Sequence, residues 1–196
     1  VLIGAGAAAV VTWVNYLGIR TAAIVQTVVT GLIVCAGLLL FTGAAFNGDI
    51  ANAEPWIATP VSGVLAVLIM VPAMLVGFDV IPQSAEEIDL PANQVGKLLV
   101  ISVFCAVAWY LFITASVGLA LTQQQQAESG MATADAAASL WSHIAGGTWA
   151  GMFLVLGGIG GIMTSWNAFI VGASRVLFAL AESGHVPAVF MRLHPK

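Results

Sequence analysis

From Thr21 to Phe46 the chain carries no charged side chain. A helix needs roughly 20 predominantly apolar residues to cross a hydrocarbon core of about 30 Å, and this run is longer than that. Comparable runs extend from Lys97 to about Leu121 and from Trp149 to about Leu180. A water-soluble domain with such segments would have a largely apolar surface. Composition agrees: 60% of residues are hydrophobic and 7% are charged, where soluble domains carry about 25% charged residues. With lipid as the solvent the difficulty disappears, and the reading is an all-α, multi-pass membrane protein.

Two further runs fill the gaps. The spans fall at about 1–14, 21–46, 57–85 (broken near 77–79), 97–121 and 149–180, as one transmembrane domain over 1–196 with about five helices. Between them lie a turn from Asn15 to Arg20, a polar segment from Asn47 to Pro55 and a polar loop from Glu86 to Gly96. A long polar loop from Thr122 to Thr148 contains the tract Gln123 to Gln126, and Ala132 to His143 has the pattern of a short surface helix. Glu182 to Lys196 forms a polar tail. Val1 already lies inside an apolar run, the pattern of a fragment that begins within a helix, and nothing resembles a cleavable signal peptide. Cys35 and Cys105 sit inside apolar runs and read as small packing residues, not a disulfide pair.

The positive charges sort by side. Under this span count Arg20, Lys97, Arg175, Arg192 and Lys196 all fall on one side, and Asp49, Glu54, Glu128 and Asp135 fall on the other. Lys and Arg accumulate in short cytoplasmic loops. The expectation is therefore a plasma (cell inner) membrane protein with the N-terminal end of the chain outside and the C-terminal end cytoplasmic. Trp56, Trp141 and Trp149 would lie at the outer boundary.

Several motifs reduce to packing. Val1 to Ala9 imitates a dinucleotide fingerprint, but no acid appears before Asp49 and no strand–helix–strand pattern follows. Small residues that let membrane helices approach closely explain both this run and Gly157-Gly158-Ile159-Gly160-Gly161. His143, His185 and His194 do not converge with Cys or carboxylates at metal-ligand spacing, and no nucleophile–base pair lies within the spans. No basic patch offers itself to nucleic acid. Neither an enzyme nor a cofactor is expected.

The third run is the informative one. It reads Met70-Val71-Pro72-Ala73-Met74-Leu75-Val76-Gly77-Phe78-Asp79-Val80-Ile81-Pro82. Both prolines lack an amide donor, Gly77 tolerates non-helical angles, and Asp79 is costly at membrane depth unless hydrated or paired. Broken helices are tolerated only where freed backbone groups meet protein, water or ligand, and they carry substrate sites in secondary transporters. The alternative is a proline kink with Asp79 near the cytoplasmic interface. On the first reading, carbonyls from Ala73 to Phe78 (Ala73, Met74, Val76, Gly77 and Phe78) hold a substrate ammonium group, Phe78 acts as an apolar wall, and Asp79 is a protonatable gating group. Thr164, Ser165 and Asn167 in the fifth run admit two readings, helix packing or an ion site.

These residues resemble a known family. Gly77-Phe78-Asp79, then Ala85-Glu86-Glu87-Ile88 and Pro91, is similar to the sixth helix and following loop of the amino acid–polyamine–organocation transporters. Asn167 and Ser174 through Pro187 resemble the end of the family's eighth helix, and Asn15, Gly18 and Gln26 the start of its fifth. The resemblance implies helices four to eight of a LeuT-type inverted-repeat bundle with one discontinuous helix, lacking the first helix that holds the substrate carboxylate. It implies a permease, whether symporter or antiporter, for an amino acid, polyamine or other amine. It places Thr164 and Ser165 where sodium-coupled relatives of the fold hold a cation, which leaves sodium coupling, exchange or uncoupled transport open, and it points to Asn167 as a coupling or gating residue; no other metal is implied. Some proton-coupled members carry a Lys in the fifth helix, and Thr21 to Phe46 has none. A channel or a membrane-embedded structural protein is the alternative function, although no repeated ring of like polar groups is present.

Overall fold

The computed structural model describes residues 2–16, 19–55, 61–75, 77 and 91–192. Every regular element among them is helical: α1 (Leu2–Tyr16), α2 (Ile19–Asn47), α3 (Val61–Met74), α4 (Ala92–Ala120), α5 (Gln123–Glu128), α6 (Ala132–Leu140) and α7 (Thr148–Glu182), with 3-10 turns at Ile50–Ala53 and Ala188–Met191. Among the described residues, three segments are long and apolar enough to cross a membrane: Thr21–Asn47 in α2, Asn93–Ala120 in α4 and Thr148–Glu182 in α7. The shortest has 27 residues, about 40 Å of helix. Their flanks are not covered by the chain itself; on α4, Phe104 is 72% and Leu111 66% exposed. Such surface is stable against lipid or other membrane helices, not against water.

The first turn is tighter than the hydropathy pattern predicts. Asn15 and Tyr16 remain inside α1, and Ile19 and Arg20 already belong to α2. Asn15 stays helical because its amide donates to the Val11 carbonyl at 2.9 Å and to a neighbouring helix. Cys35 and Cys105 are free and exposed, so they do not pack within this chain.

The chain forms two compact units. The larger comprises residues 29–75 and 104–161 and has a core of Leu40, Ala44, Val117, Ala120, Leu121, Ala136, Ala137, Leu140 and Ala150. Its small side chains permit close approach. Gly157 faces the Ala36 methyl, where an added Cβ would lie at 3.0 Å, and Gly160 faces Val29 at 2.7 Å. The close-packing expectation holds at these two glycines, whereas Gly158 has nothing within 4 Å. It is also not met at Gly4 and Gly6 on α1, which have no neighbour within 4 Å.

The long loop from Thr122 to Thr148 is largely helical. Thr122 and Gln125 form a capping box that starts α5, with reciprocal side-chain to backbone bonds satisfying two of its N-terminal donors. The rest of the glutamine tract is also engaged: Gln123 donates to the Pro55 carbonyl at 3.1 Å, Gln124 to Glu128 at 3.0 Å and Gln126 to the Leu121 carbonyl at 2.8 Å. The expected surface helix is instead part of the core. In α6, Ala136 and Ala137 are fully buried, because five of the nine residues of this helix are alanines whose methyl groups fit between larger elements. Trp141 and Trp149 spend their indole N–H groups on the carbonyls of Leu39 (3.1 Å) and Ile144 (3.0 Å). Trp56 lies outside the described residues. On the far side of α2, Asp49 accepts from the Ala51 N–H at 2.9 Å, and its own N–H donates to the Leu119 carbonyl at 2.9 Å, tying this polar segment to the end of α4.

The smaller unit comprises residues 1–28, 76–103 and 162–196. Its described buried side chains are few, with Val11, Ala22 and Ala181 at 4–5% exposure.

Candidate functional site

Helix α3 stops at Met74. Pro72 lies inside it and withholds the N–H that would close the turn onto the carbonyl of Leu68. The last carbonyls of a helix have no partner within it and need one from elsewhere. Here the Val71 carbonyl accepts from the Leu75 N–H at 3.2 Å. The Met74 carbonyl accepts from the Tyr110 hydroxyl of α4 at 2.9 Å. Gly77 then adopts φ +117°, a conformation that side-chain-bearing residues rarely occupy. The helix thus ends at Met74, and Gly77 lies outside helix geometry. Ala73 and Met74 are exposed, Leu75 and Gly77 half-buried. Val76, Phe78 and Asp79 lie outside the described residues.

A second polar feature joins three helices of the smaller unit. Asn15 Nδ2 on α1 donates to Asn167 Oδ1 on α7 at 2.6 Å, and Asn167 Nδ2 donates to Gln26 Oε1 on α2, also at 2.6 Å. Interhelical hydrogen bonds between membrane helices contribute about 0.6 kcal/mol on average and up to about 1.7. This pair thus contributes on the order of 1–3 kcal/mol. Thr164 precedes Asn167 by one helical turn on the same face of α7 and is half-buried, while Ser165 is exposed. Of the residues expected to couple or gate, the structure places Thr164, Ser165 and Asn167 within one continuous helix.

Three contributors were not legible as site residues from their own chemistry. Tyr110 sits in an unbroken apolar run; the available signal was that a phenol hydroxyl at such depth must find an acceptor. Asn15 and Gln26 stood out only through resemblance, and their meeting on Asn167 depends on helix placement. The larger unit also contains a cavity of about 180 Å³ bounded by Ile33, Gly37, Trp109, Thr133, Leu154 and Gly158. It presents no charged side chain and so lacks a partner for the charged ends of an amino acid.

The profile of the family described as Amino acid permease matches residues 1–196. The chain belongs to the amino acid permease family. Among curated proteins, this permease chain is 27% identical to the branched-chain amino acid permease BcaP of Bacillus subtilis, covering 95% of this chain and 39% of that protein. It is 30% identical to the chloroplastic cationic amino acid transporter 9 of Arabidopsis thaliana, covering 95% of this chain and 32% of that protein. With human cationic amino acid transporter 4 the identity is 27%, over 96% of this chain and 28% of that protein. The permease chain thus spans about a third of the length of these relatives. No solved structure matches it. Family membership together with three helices able to cross a bilayer makes this a multi-pass membrane protein.

Proposed function

We propose that the whole permease is a secondary transporter that moves an amino acid or related amine across the membrane by alternating access, and that the α3 break carries part of its substrate site. One observation carries the reading: an apolar helix in a permease of this family ends at Met74 beside Pro72 and is followed by Gly77 at positive φ. Carbonyls released from a helix within a hydrocarbon core have no water to satisfy them. A substrate ammonium group supplies donors, and that hydrogen bond is charge-assisted and strengthened away from bulk water. Ala73 to Phe78 is the contact stretch, and Asp79 gates the inner half by changing its protonation. Thr164 and Ser165 serve as a sodium site, with Asn167 coupling it to the helix movement. The bundle is of the LeuT-type inverted-repeat kind with one discontinuous helix.

Branched-chain and cationic amino acids, the classes for which these relatives are named, are both candidates here. Uptake of labelled leucine and arginine by the whole permease in proteoliposomes, with and without a sodium gradient, tests the reading. Saturable uptake of at least one is the expected result. Equal flux of unrelated ions, with no saturation by either amino acid, would favour the channel alternative.

The charge asymmetry gives an orientation for the plasma membrane. Arg20, Lys97 and Arg192 are cytoplasmic, and Gln124 is external. Cysteine placed at position 124 is expected to react with an impermeant thiol reagent from outside, whereas cysteine at position 97 reacts only after permeabilisation. The reverse pattern would invert the assignment.

A further inference from the structure

The helices of this chain are fastened in two ways that differ in how readily they come apart. In the larger unit the fastening is close apolar contact, as at Gly157 against Ala36. Separating such surfaces exchanges closely fitted protein contacts for looser ones with lipid tails. In the smaller unit described apolar burial is sparse, and amides join the helices instead. An amide can trade its partner for water or for a polar group of a substrate while staying hydrogen-bonded, so the net cost of exchange is small. All three amides are half-buried, within reach of such a competitor.

The arrangement has a direction. Asn167 occupies the centre and uses both ends of its amide, accepting from Asn15 and donating to Gln26. Asn15 is itself steadied on α1 by its bond to the Val11 carbonyl at 2.9 Å. The turn of α7 from Thr164 to Asn167 is therefore oriented by side chains from α1 and α2.

We propose that Asn15 and Gln26 are positioning residues which form a releasable clasp on Asn167: closed, the clasp holds the Thr164–Asn167 turn in place, and it opens and re-forms in each transport cycle. The proposal rests on the transport function proposed above. A substrate that favours one state of the clasp shifts its population by its differential affinity for the two states.

The test compares Gln26→Leu, which removes the acceptor at similar volume, with Gln26→Glu, which retains an oxygen for the Asn167 N–H. The whole permease in lipid nanodiscs is followed by backbone hydrogen exchange over residues 21–27 and 164–170, with and without saturating leucine or arginine. KM for uptake is measured in parallel. In the wild type the amino acid is expected to change exchange in both segments. Gln26→Leu is expected to abolish that change and to raise KM roughly five- to tenfold, the scale of one lost hydrogen bond. Gln26→Glu is expected to restore both. If Gln26→Leu gives no folded protein, Asn15→Leu cuts the other link and is expected to behave likewise. KM and substrate-dependent exchange within about twofold of wild type in the Leu variant would overturn the clasp, as would failure of the Glu variant to restore them. If neither amino acid is transported or alters exchange in the wild type, the transport reading fails, and substrate-free exchange decides the clasp. Faster exchange in the Leu variant, reversed in the Glu variant, upholds it; unchanged exchange overturns it.

Discussion

Gly77→Leu in the whole permease is expected to eliminate amino acid uptake while leaving folding and membrane insertion intact. Gly77 holds φ +117°, and a residue with a Cβ strongly disfavours positive φ, by about 1–2 kcal/mol in the left-handed region. Among the described residues a Cβ added there would meet nothing within 4 Å, so the substitution introduces no collision with them at that atom. Its effect is confined to the backbone after α3, where it pulls the chain towards ordinary helix angles and moves the carbonyls proposed to hold the substrate. The checks are yield and monodispersity in detergent, substrate binding, and uptake in proteoliposomes. A well-folded Gly77→Leu variant that transports at the wild-type rate would reduce the break to a proline kink.

Gly147→Val is expected to prevent folding of the larger unit. Gly147 lies at φ +74°, and a Cβ on it would strike the Ala138 carbonyl oxygen and approach the Ser142 nitrogen to 3.0 Å. Both obstacles are backbone, so no rotamer change relieves them. Gly147 also begins α7: its carbonyl accepts from the N–H groups of Ala150 (2.9 Å) and Gly151 (3.3 Å), so it cannot shift without disturbing that helix. Unfavourable φ adds about 1–2 kcal/mol and overpacking about 1–3, a large share of a marginal stability. Gly146→Val isolates the two contributions. That residue has φ +73° but open space around its Cβ, so it bears only the first. Thermal unfolding in detergent is expected to show a modest loss for Gly146→Val and no cooperative transition for Gly147→Val. Equal midpoints for the two would show that the collision with Ala138 is absorbed.

Hydropathy alone located α2, α4 and α7, because lipid imposes one requirement on every residue of a long span and the signal accumulates. Pro72 and Gly77 stood out near the end of α3 because proline and glycine act on the backbone directly, without reference to neighbours. Between Thr122 and Thr148 the helix expected from Ala132 is present, but its burial and the helix at Gln123–Glu128 were not legible: glutamines and alanines resemble a loop in composition, yet the capping box at Thr122 starts a helix and Ala136 and Ala137 are internal. The expected packing at Gly4 and Gly6 was not realised, since a small residue permits close approach without supplying a neighbour.

By itself, then, the order of residues determined the solvent of this protein and its helical class, both of which follow from local chemistry repeated along the chain. Tertiary structure alone decided which polar groups meet. Asn15, Gln26 and Asn167 are far apart in sequence and converge only because three helices lie together, and Tyr110 reaches Met74 only because α4 passes the end of α3. A hydrogen bond depends on positions to within a few tenths of an ångström, and no periodicity in a sequence carries that information.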